Sequence, residues 1–585
     1  MPRRHGTVSA ILDRIMKLAA IAVDYDGTLT RTGSLSRNVV EAIGMARCQG
    51  IKVILVTGRR LAHLAADTEL AMFDAVVAEN GAVLEFPESG RHVRLAPAAS
   101  QSFADELTRR GLSFVRGECV FETDAAIAVP VLDAIRALEQ PHILAFNRGR
   151  LMVLPPGVAK STGLRQALFE LRASPHNTIG IGDAENDHDL LDVCELGVAV
   201  GWGSPALRAI ADEVIEGGGP DAVAAYLQRI ASSPRLAVGR AGRHKIVIGT
   251  LHNGEPVTLA IRGRTVIVAG EPGTGKSLLT GLMCEQFIFQ GYSLAILDPE
   301  GDYRALAGLP NVTVFGGDDP PPAPRQVLHA LRHPAETIVI DLSRLGAREK
   351  QQYLRTVLPL LAAERRRSGL PHKIVVDEAH LFLSRPDAAA LVDAELGGYV
   401  WVTYRVSQLD RAVCAEDAVR IVTRESEPAE IEALSRLCGA PLDPAVLRGI
   451  EQDEAALLPG PDEALGGMVR FRMAPRATAH VRHRQKYFDM PVGEAQAFVF
   501  SGGGTPGPRV RSFKEMAGLL ATESAARLRG HCERHDFSRW VRDVFRDGLL
   551  AARLHEIEGR VRDQDPRGVA DALAQAIRAR YEFCA

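Results

Sequence analysis

The 585-residue sequence contains no apolar run near the roughly 20 residues that a membrane-spanning helix needs. Its first residues, MPRRHGTVSAILDRIMKLAAIAVDYDG, are basic but lack the clean apolar core and cleavage site of a secretory leader. Cysteine is sparse. The eight, at 48, 119, 194, 284, 414, 438, 532 and 584, show no Cys-x-x-Cys spacing. That pattern argues against a zinc ribbon or a disulfide frame and fits reduced thiols in a cytoplasmic protein. Charge of one sign is also missing. A formal net charge of −3 gives no global pull toward nucleic acid or an anionic membrane, so DNA binding would need a local basic patch. No internal repeat is found, and DDPPPAP at 318–324 is a short rigid loop, not a low-complexity tract.

What is present is ordinary globular composition, 46% hydrophobic and 24% charged, in a chain too long for one core. Strand-like apolar runs alternate with helical stretches, which predicts α/β domains with parallel sheets. The expected organisation is an N-terminal extension over 1–15 and a first α/β domain over 16–230. A Ser/Pro/Gly/Arg-rich linker over 231–245 follows, then a second α/β domain over 246–475 and a mostly helical α+β domain over 476–585.

In LAAIAVDYDGTLT an apolar run ends in Asp24 and Asp26. Carboxylates two apart where a strand meets its loop can divide labour. Asp24 can attack phosphorus, while Asp26 serves as acid to the leaving oxygen and then as base to water. Gly27 frees the turn and Thr28 adds a hydroxyl. The alternative is a simple Asx-type turn. Three later segments weigh against that alternative. IKVILVTGRR ends in Thr57, PPGVAKSTGL supplies Lys160, and NTIGIGDAENDHDLL ends in Asp183 with Asn186 and Asp187 behind it. Hard oxygen donors at strand ends suit Mg²⁺.

DYDGT, VTGR, Lys160 and GDAENDHDLL together resemble the four motifs of the haloacid dehalogenase superfamily, in the Cof-like class whose cap is inserted between the second and third motifs. The resemblance implies a Rossmann-like core with an α/β cap near 83–155 and an aspartyl-phosphate on Asp24. It also implies acid/base chemistry by Asp26, with Thr57 and Lys160 on the phosphoryl oxygens. Mg²⁺ would be held by Asp24, the Asp26 carbonyl and Asp183, with Asp187 in support. The small cap implies a small phosphorylated substrate such as a sugar phosphate, a polyol phosphate or phosphoglycolate.

The second domain carries GEPGTGKS, Gly270 to Ser277, between strand-like RTVIVAG and helical SLLTGLMCEQFIF. Gly270, Gly273, Thr274 and Gly275 would form an ATP cradle, Lys276 would reach the β/γ-phosphates and Ser277 would ligate Mg²⁺. HKIVVDEAHLFL ends a strand in Asp377, for the magnesium, and Glu378, to polarise the attacking water. SLAILDPEGDYRAL resembles the FtsK–HerA branch of P-loop ATPases. That likeness makes Gln408, in GGYVWVTYRVSQLD, the expected γ-phosphate sensor and Arg405 or Arg424 a candidate finger. Only about a hundred residues separate Lys276 from Asp377, so the large insertions of DNA pumps look trimmed. The ERRRSG run at 364–369 reads more simply as helix C-terminal charge than as a DNA contact.

The last hundred residues resemble a small accessory domain found with bacterial and archaeal phosphatase proteins. His531, His535 and Asp536 invite a metal reading. However, Phe537, Trp540, Val541, Val544 and Phe545 recur at helical spacing, so His535–Asp536 is expected to begin a helix, not to bind metal. The favoured function is a bifunctional hydrolase, a Mg²⁺-dependent small-molecule phosphatase fused to an ATPase. The alternatives are an ATP-driven DNA translocase with a trimming phosphatase and an ATP-gated regulatory protein. A homo-oligomer is compatible with all three, nucleic acid is not favoured as a partner, and no membrane partner is expected.

Overall fold

A computed structural model describes residues 14–581 apart from 148, 234, 239–243, 262–263, 385–387, 394–395, 416–417, 460–466, 480–487, 489–490, 503–504 and 546. The apolar runs AIAVD, KVILV, AVVA, TIGIG and LGVAV become strands of one eight-stranded sheet. Ala20–Asp24 lies at its centre, parallel to Thr178–Gly182 on one side and Lys52–Val56 on the other. These strands are buried on both faces, as a parallel sheet between helical layers requires. Parallel pairing also brings their C-terminal ends to one edge, where Asp24, Thr57 and Asp183 sit.

The hairpin Val83–Phe86/Arg91–Arg94 extends this core sheet through Ala75–Ala78. The inserted layer is therefore shorter than the expected 83–155. It runs from helix Gln101–Arg109 to strand Arg150–Leu154, with its own four-stranded antiparallel sheet and its own apolar cluster around Phe103, Phe121 and Val131. The expected extension and linker also differ from the structure. Arg14–Lys17 pairs antiparallel with Arg235–Val238, so parts of both segments form a strand pair. Residues 1–13, 234 and 239–243 of those segments lie outside the described residues.

The second domain has an eleven-stranded sheet. Seven strands are parallel, in the order Val419–Val422, Val266–Ala269, Tyr399–Thr403, Lys373–Val376, Leu294–Asp298, Thr337–Asp341, Val312–Gly316. Antiparallel strands Glu454–Leu457, Val469–Met473, Lys245–Thr250 and Pro256–Ala260 continue it from Val419–Val422. Helix Lys276–Phe289 follows the Val266–Ala269 strand, and its buried Glu285 accepts from Arg476 Nε (2.9 Å) and the Ala477 backbone N–H (2.7 Å). The chain leaving the sheet is thus pinned to that helix. The C-terminal domain is a hairpin, Phe498–Gly502/Thr505–Val510, and a helical cluster around Phe500, Phe513 and Leu554.

The two large domains share a buried polar seam. His176 Nε2 lies 2.8 Å from the Gln290 carbonyl, just past the end of helix Lys276–Phe289, and its Nδ1 lies 2.9 Å from Glu195. Tyr292 donates to the same Glu195 oxygen (2.7 Å) and stacks on His176 with ring centroids 3.6 Å apart. Among the described residues no helix is long and apolar enough to cross a membrane.

Candidate functional site

Lys160 opens helix Lys160–Glu170 and is 1% exposed. Its Nζ donates to Asp24 Oδ1 (2.6 Å) and Asp187 Oδ1 (2.5 Å), joining residues 136 and 27 positions away in sequence. Gly163 lets this helix approach the core, since a Cβ there would sit 2.6 Å from the Gly81 Cα and from Val77. The other oxygen of Asp187 accepts the backbone N–H groups of Asp183 and Ala184, both at 3.0 Å. Asp24, Asp183 and Asp187 each bring an oxygen within 4.8 Å of the others, all three buried.

Burial, reinforced by the Asp187 charge, pushes the Asp24 carboxyl well above its ordinary range, with Lys160 pulling the other way. Burial works to lower the Lys160 ammonium, but Asp187 and Asp24 outweigh it and hold it raised. Asp24, Asp183 and Asp187 thus crowd around a single ammonium, more acidic groups than it can neutralise. That donor set, all hard oxygen, fits a divalent cation of the Mg²⁺ type.

Asp26 is drawn aside. Arg59 grips it with two hydrogen bonds, Nε to Oδ2 at 2.8 Å and Nη2 to Oδ1 at 2.6 Å, and stacks on Tyr25. Thr57 is buried, its hydroxyl accepting the Arg59 backbone N–H at 3.1 Å. Thr28 Oγ1 is buried with no hydrogen-bond partner among the described residues. Asp26 and Asp183 line a cleft of about 710 Å³ with Arg31, Trp202 and Ser204.

In the second domain Gly270, Gly273 and Gly275 all have positive φ (139°, 76° and 108°). A Cβ on Gly270 would lie 2.1 Å from Thr423 Oγ1, so the loop tolerates no side chain there. Thr274 bonds Thr423 (2.6 Å), and Lys276 Nζ donates to the Glu271 carbonyl (2.8 Å). Ser277 donates to Asp302 (2.7 Å) in the DPEGDY turn, whose Asp298 carboxylate gathers the backbone N–H groups of Glu300, Gly301, Asp302 and Tyr303. Burial raises Asp298 to about 7 and Glu425, behind the loop, to about 8. Asp377 and Glu378 are buried at the end of Lys373–Val376, two strands from the P-loop strand, and Glu378 adopts a left-handed φ of 49°.

Gln408, the expected sensor, lies beyond the end of strand Tyr399–Thr403. It is exposed on the turn Val406–Gln408. The end of the intervening strand instead carries Thr403, bonded to His380 (3.1 Å), and Tyr404, whose ring faces Lys276 at 6.0 Å. Arg424 lies beside the loop, Nε 3.3 Å from Glu271, and Arg405 stacks on Tyr404. Arg59, Asp302 and Tyr404 were not singled out by sequence reasoning. Each left a signal: Arg59 stands two residues beyond Thr57 in VTGRR, Asp302 in DPEGDY and Tyr404 in VWVTYRVSQLD. In the C-terminal domain Asp536 begins the helix Asp536–Trp540. His531 is held by Asp536 (2.8 Å) and the Ser501 backbone N–H (2.9 Å).

Two α/β domains, one with carboxylates and a locked lysine at parallel strand ends and one with a glycine cradle at a helix start, define a two-domain phosphate-cleaving enzyme. Residues 21–115 and 116–227 match the family described as haloacid dehalogenase-like hydrolase, and residues 246–368 match the central domain of helicase HerA. The chain is 30% identical over 228 residues to a phosphoglycolate phosphatase of Natronomonas pharaonis, covering 36% of this chain and 97% of that one. A phosphoglycolate phosphatase of Haloarcula marismortui is also 30% identical, over 34% of this chain and 90% of its own. A haloacid dehalogenase-like hydrolase structure from Bacteroides thetaiotaomicron aligns at 20% identity and TM-score 0.33, covering 37% of this chain and all of that one (100%). The chain belongs to the haloacid dehalogenase-like hydrolase family and carries behind that hydrolase a HerA-type P-loop ATPase domain.

Proposed function

We propose that the first domain, about residues 14–238, is a divalent-cation-dependent phosphomonoesterase acting on a small phosphorylated acid or sugar, with Asp24 as its nucleophile. The observation that carries this reading is Lys160 clamped between Asp24 and Asp187 beside Asp183. Asp24 attacks phosphorus, forming an acyl phosphate as the P–O bond to the leaving alcohol breaks, and Asp26 protonates that oxygen. Water then attacks the same phosphorus, Asp26 takes its proton, and phosphate leaves while the Asp24 carboxylate is restored. Lys160, Thr57 and the buried Thr28 hydroxyl hold the phosphoryl oxygens. Arg59 occupies both Asp26 oxygens, so on this reading that grip opens before Asp26 gives or takes a proton. Asp187 acts through Lys160 and the 183–184 backbone, since both its oxygens are engaged there. Mg²⁺ held by Asp24, the Asp26 carbonyl and Asp183, with Asp187 in support, would supply positive charge against the phosphoryl oxygens. A phosphoglycolate-like substrate is supported by the names of the relatives, the short cap and the cleft's size.

The second domain, about 245–478, hydrolyses ATP on this reading. Gly270, Gly273, Thr274, Gly275 and Lys276 bind its phosphates and Glu378 orients water; Ser277, and Asp377 through water, would hold the Mg²⁺ that supplies charge against those phosphates. Gln408 remains the proposed γ-phosphate sensor, with Thr403 at the end of the preceding strand and Tyr404 next in the chain. A cytoplasmic location belongs to the same proposal and rests on sparse cysteines with no Cys-x-x-Cys spacing.

The test is a phosphometabolite screen on the full chain, with and without ATP and duplex DNA. Asp24→Asn is expected to abolish phosphatase turnover and spare ATPase. Retained phosphatase activity would sink the nucleophile assignment. A second reading, in which ATP gates the phosphatase, is favoured by the seam at the end of the P-loop helix. It requires the phosphatase rate to change with ATP, and indifference to ATP removes it.

A further inference from the structure

The C-terminal domain holds a histidine pair that sequence spacing alone did not bring together. His555 and Glu558 lie three apart on helix Gly548–Gly559, hence on one face. His535 reaches them from the preceding turn, where its left-handed backbone (φ 56°) aims the chain into helix Asp536–Trp540. The two imidazoles stack with centroids 4.0 Å apart, and all three residues bring a donor atom within 4.8 Å of the others. Glu558 is fully buried. Its Oε1 is fixed by the backbone N–H groups of Phe537 (2.9 Å) and Ser538 (3.2 Å), which leaves Oε2 facing His535 Nδ1 at 3.3 Å.

That last separation is within hydrogen-bond reach but long for a charge-assisted bond, and it also suits two ligands of one small ion. A carboxylate–imidazolium hydrogen bond is usually about 2.7–2.9 Å. Two ligands of a tetrahedral ion with bonds near 2.0–2.1 Å stand about 3.4 Å apart. His555 has no hydrogen-bond partner among the described residues, and the half-exposed pair leaves room for a water as fourth ligand. A carboxylate ligand anchored by backbone donors is the usual outer support of a metal site. The other His–Glu group, at the seam, lacks this openness. Its Glu195 oxygen serves both His176 and Tyr292, and His176 Nε2 meets a carbonyl. His531 is similarly closed by Asp536 and Ser501.

We infer that His535, His555 and Glu558 form a binding site for a zinc-class divalent cation, four-coordinate with one water. It would staple the 534–536 turn to helix Gly548–Gly559 and owes nothing to either phosphate site.

The test uses untagged full-length protein stripped with chelator and held in excess Mg²⁺ to occupy the oxygen-rich sites. ZnCl₂ is then titrated in, and bound zinc is measured after gel filtration. Wild type is expected to retain one zinc more than His555→Ala. His535→Asn, whose asparagine also tolerates the left-handed backbone, is expected to lose the same zinc, with affinity falling more than about tenfold. CoCl₂ in place of zinc should give the intense visible bands of a four-coordinate centre in wild type, a readout that needs no variant. No retained zinc in wild type, as much zinc in either variant as in wild type, or only the weak bands of six-coordinate cobalt would each overturn the assignment.

Discussion

Replacing Lys160 by methionine keeps most of its volume and removes its charge from between Asp24 and Asp187. Each contact is a unit-charge pair at 2.6 or 2.5 Å. At an effective dielectric near 20, each attraction is about 6 kcal/mol before desolvation is counted. Desolvating the ammonium offsets much of that, and breaking such buried pairs costs about 3–5 kcal/mol net. The methionine variant also leaves three buried carboxylates within 4.8 Å with no cation, so added Mg²⁺ should restore more stability to it than to wild type. Catalysis should fall more steeply. Loss of one preorganised donor to a developing oxyanion costs about 100- to 1000-fold in kcat. Aryl phosphate hydrolysis and urea unfolding, with ATP turnover as the internal control, measure both effects. Phosphatase turnover within twofold of wild type, or stability within about 1 kcal/mol at equal Mg²⁺, would refute the claim that this ammonium binds the site together.

Lys276→Ala should remove ATP turnover while phosphatase activity persists, since Lys276 lies in the Gly270–Ser277 loop and not at the Asp24 cluster; turnover by both domains would show that the cradle has been misread. Glu425 binds its proton more tightly folded than unfolded, at about 8 against 4.5. Its contribution is therefore complete below pH 4.5 and is lost as pH rises toward 8, with a slope of at most about 1.4 kcal/mol per pH unit. Glu425→Gln, which keeps an acceptor for the Ser426 and Glu427 N–H groups, should flatten that slope in urea titrations read from buried Trp401. Gly81→Ala should damage the phosphatase from a distance. Its Cβ would lie 1.9 Å from the Ala159 carbonyl at φ +104°, forcing back the turn that presents Lys160; wild-type kcat would show that the turn yields freely.

The strands that carry chemistry were legible because each is a short apolar run closed by a carboxylate or threonine, and parallel pairing gathers such ends on one edge. The first candidate site was legible for that reason, and the second because the glycine-rich GEPGTGKS stands between a strand-like and a helical run. The cap boundary was not. Nothing in VLEF or RHVR distinguishes a hairpin on the core sheet from one in an insert, since only its partner Ala75–Ala78 decides. The strand pair Arg14–Lys17/Arg235–Val238 hides in sequence that reads as extension and linker because its two halves lie more than two hundred residues apart. Gln408 was favoured as a polar residue at a strand end, and the strand stops at Thr403 with the glutamine on the turn beyond. His555 drew no notice because His535 reaches it only after two helices have packed.

The seam between His176, Glu195, Gln290 and Tyr292 bears on whether the two enzymes can be separated. Cutting the chain near residue 240 would leave one half with the Glu195 carboxylate stripped of Tyr292, and the other with the Gln290 carbonyl stripped of His176. Once solvated, each group forfeits about 0.5–1.5 kcal/mol of net hydrogen-bond stabilisation, and the His176–Tyr292 stack is lost as well. The seam thus lends each half part of its stability. Damage to the nucleotide-binding half, by heat or mutation, should be felt as lost phosphatase before any metabolite is involved.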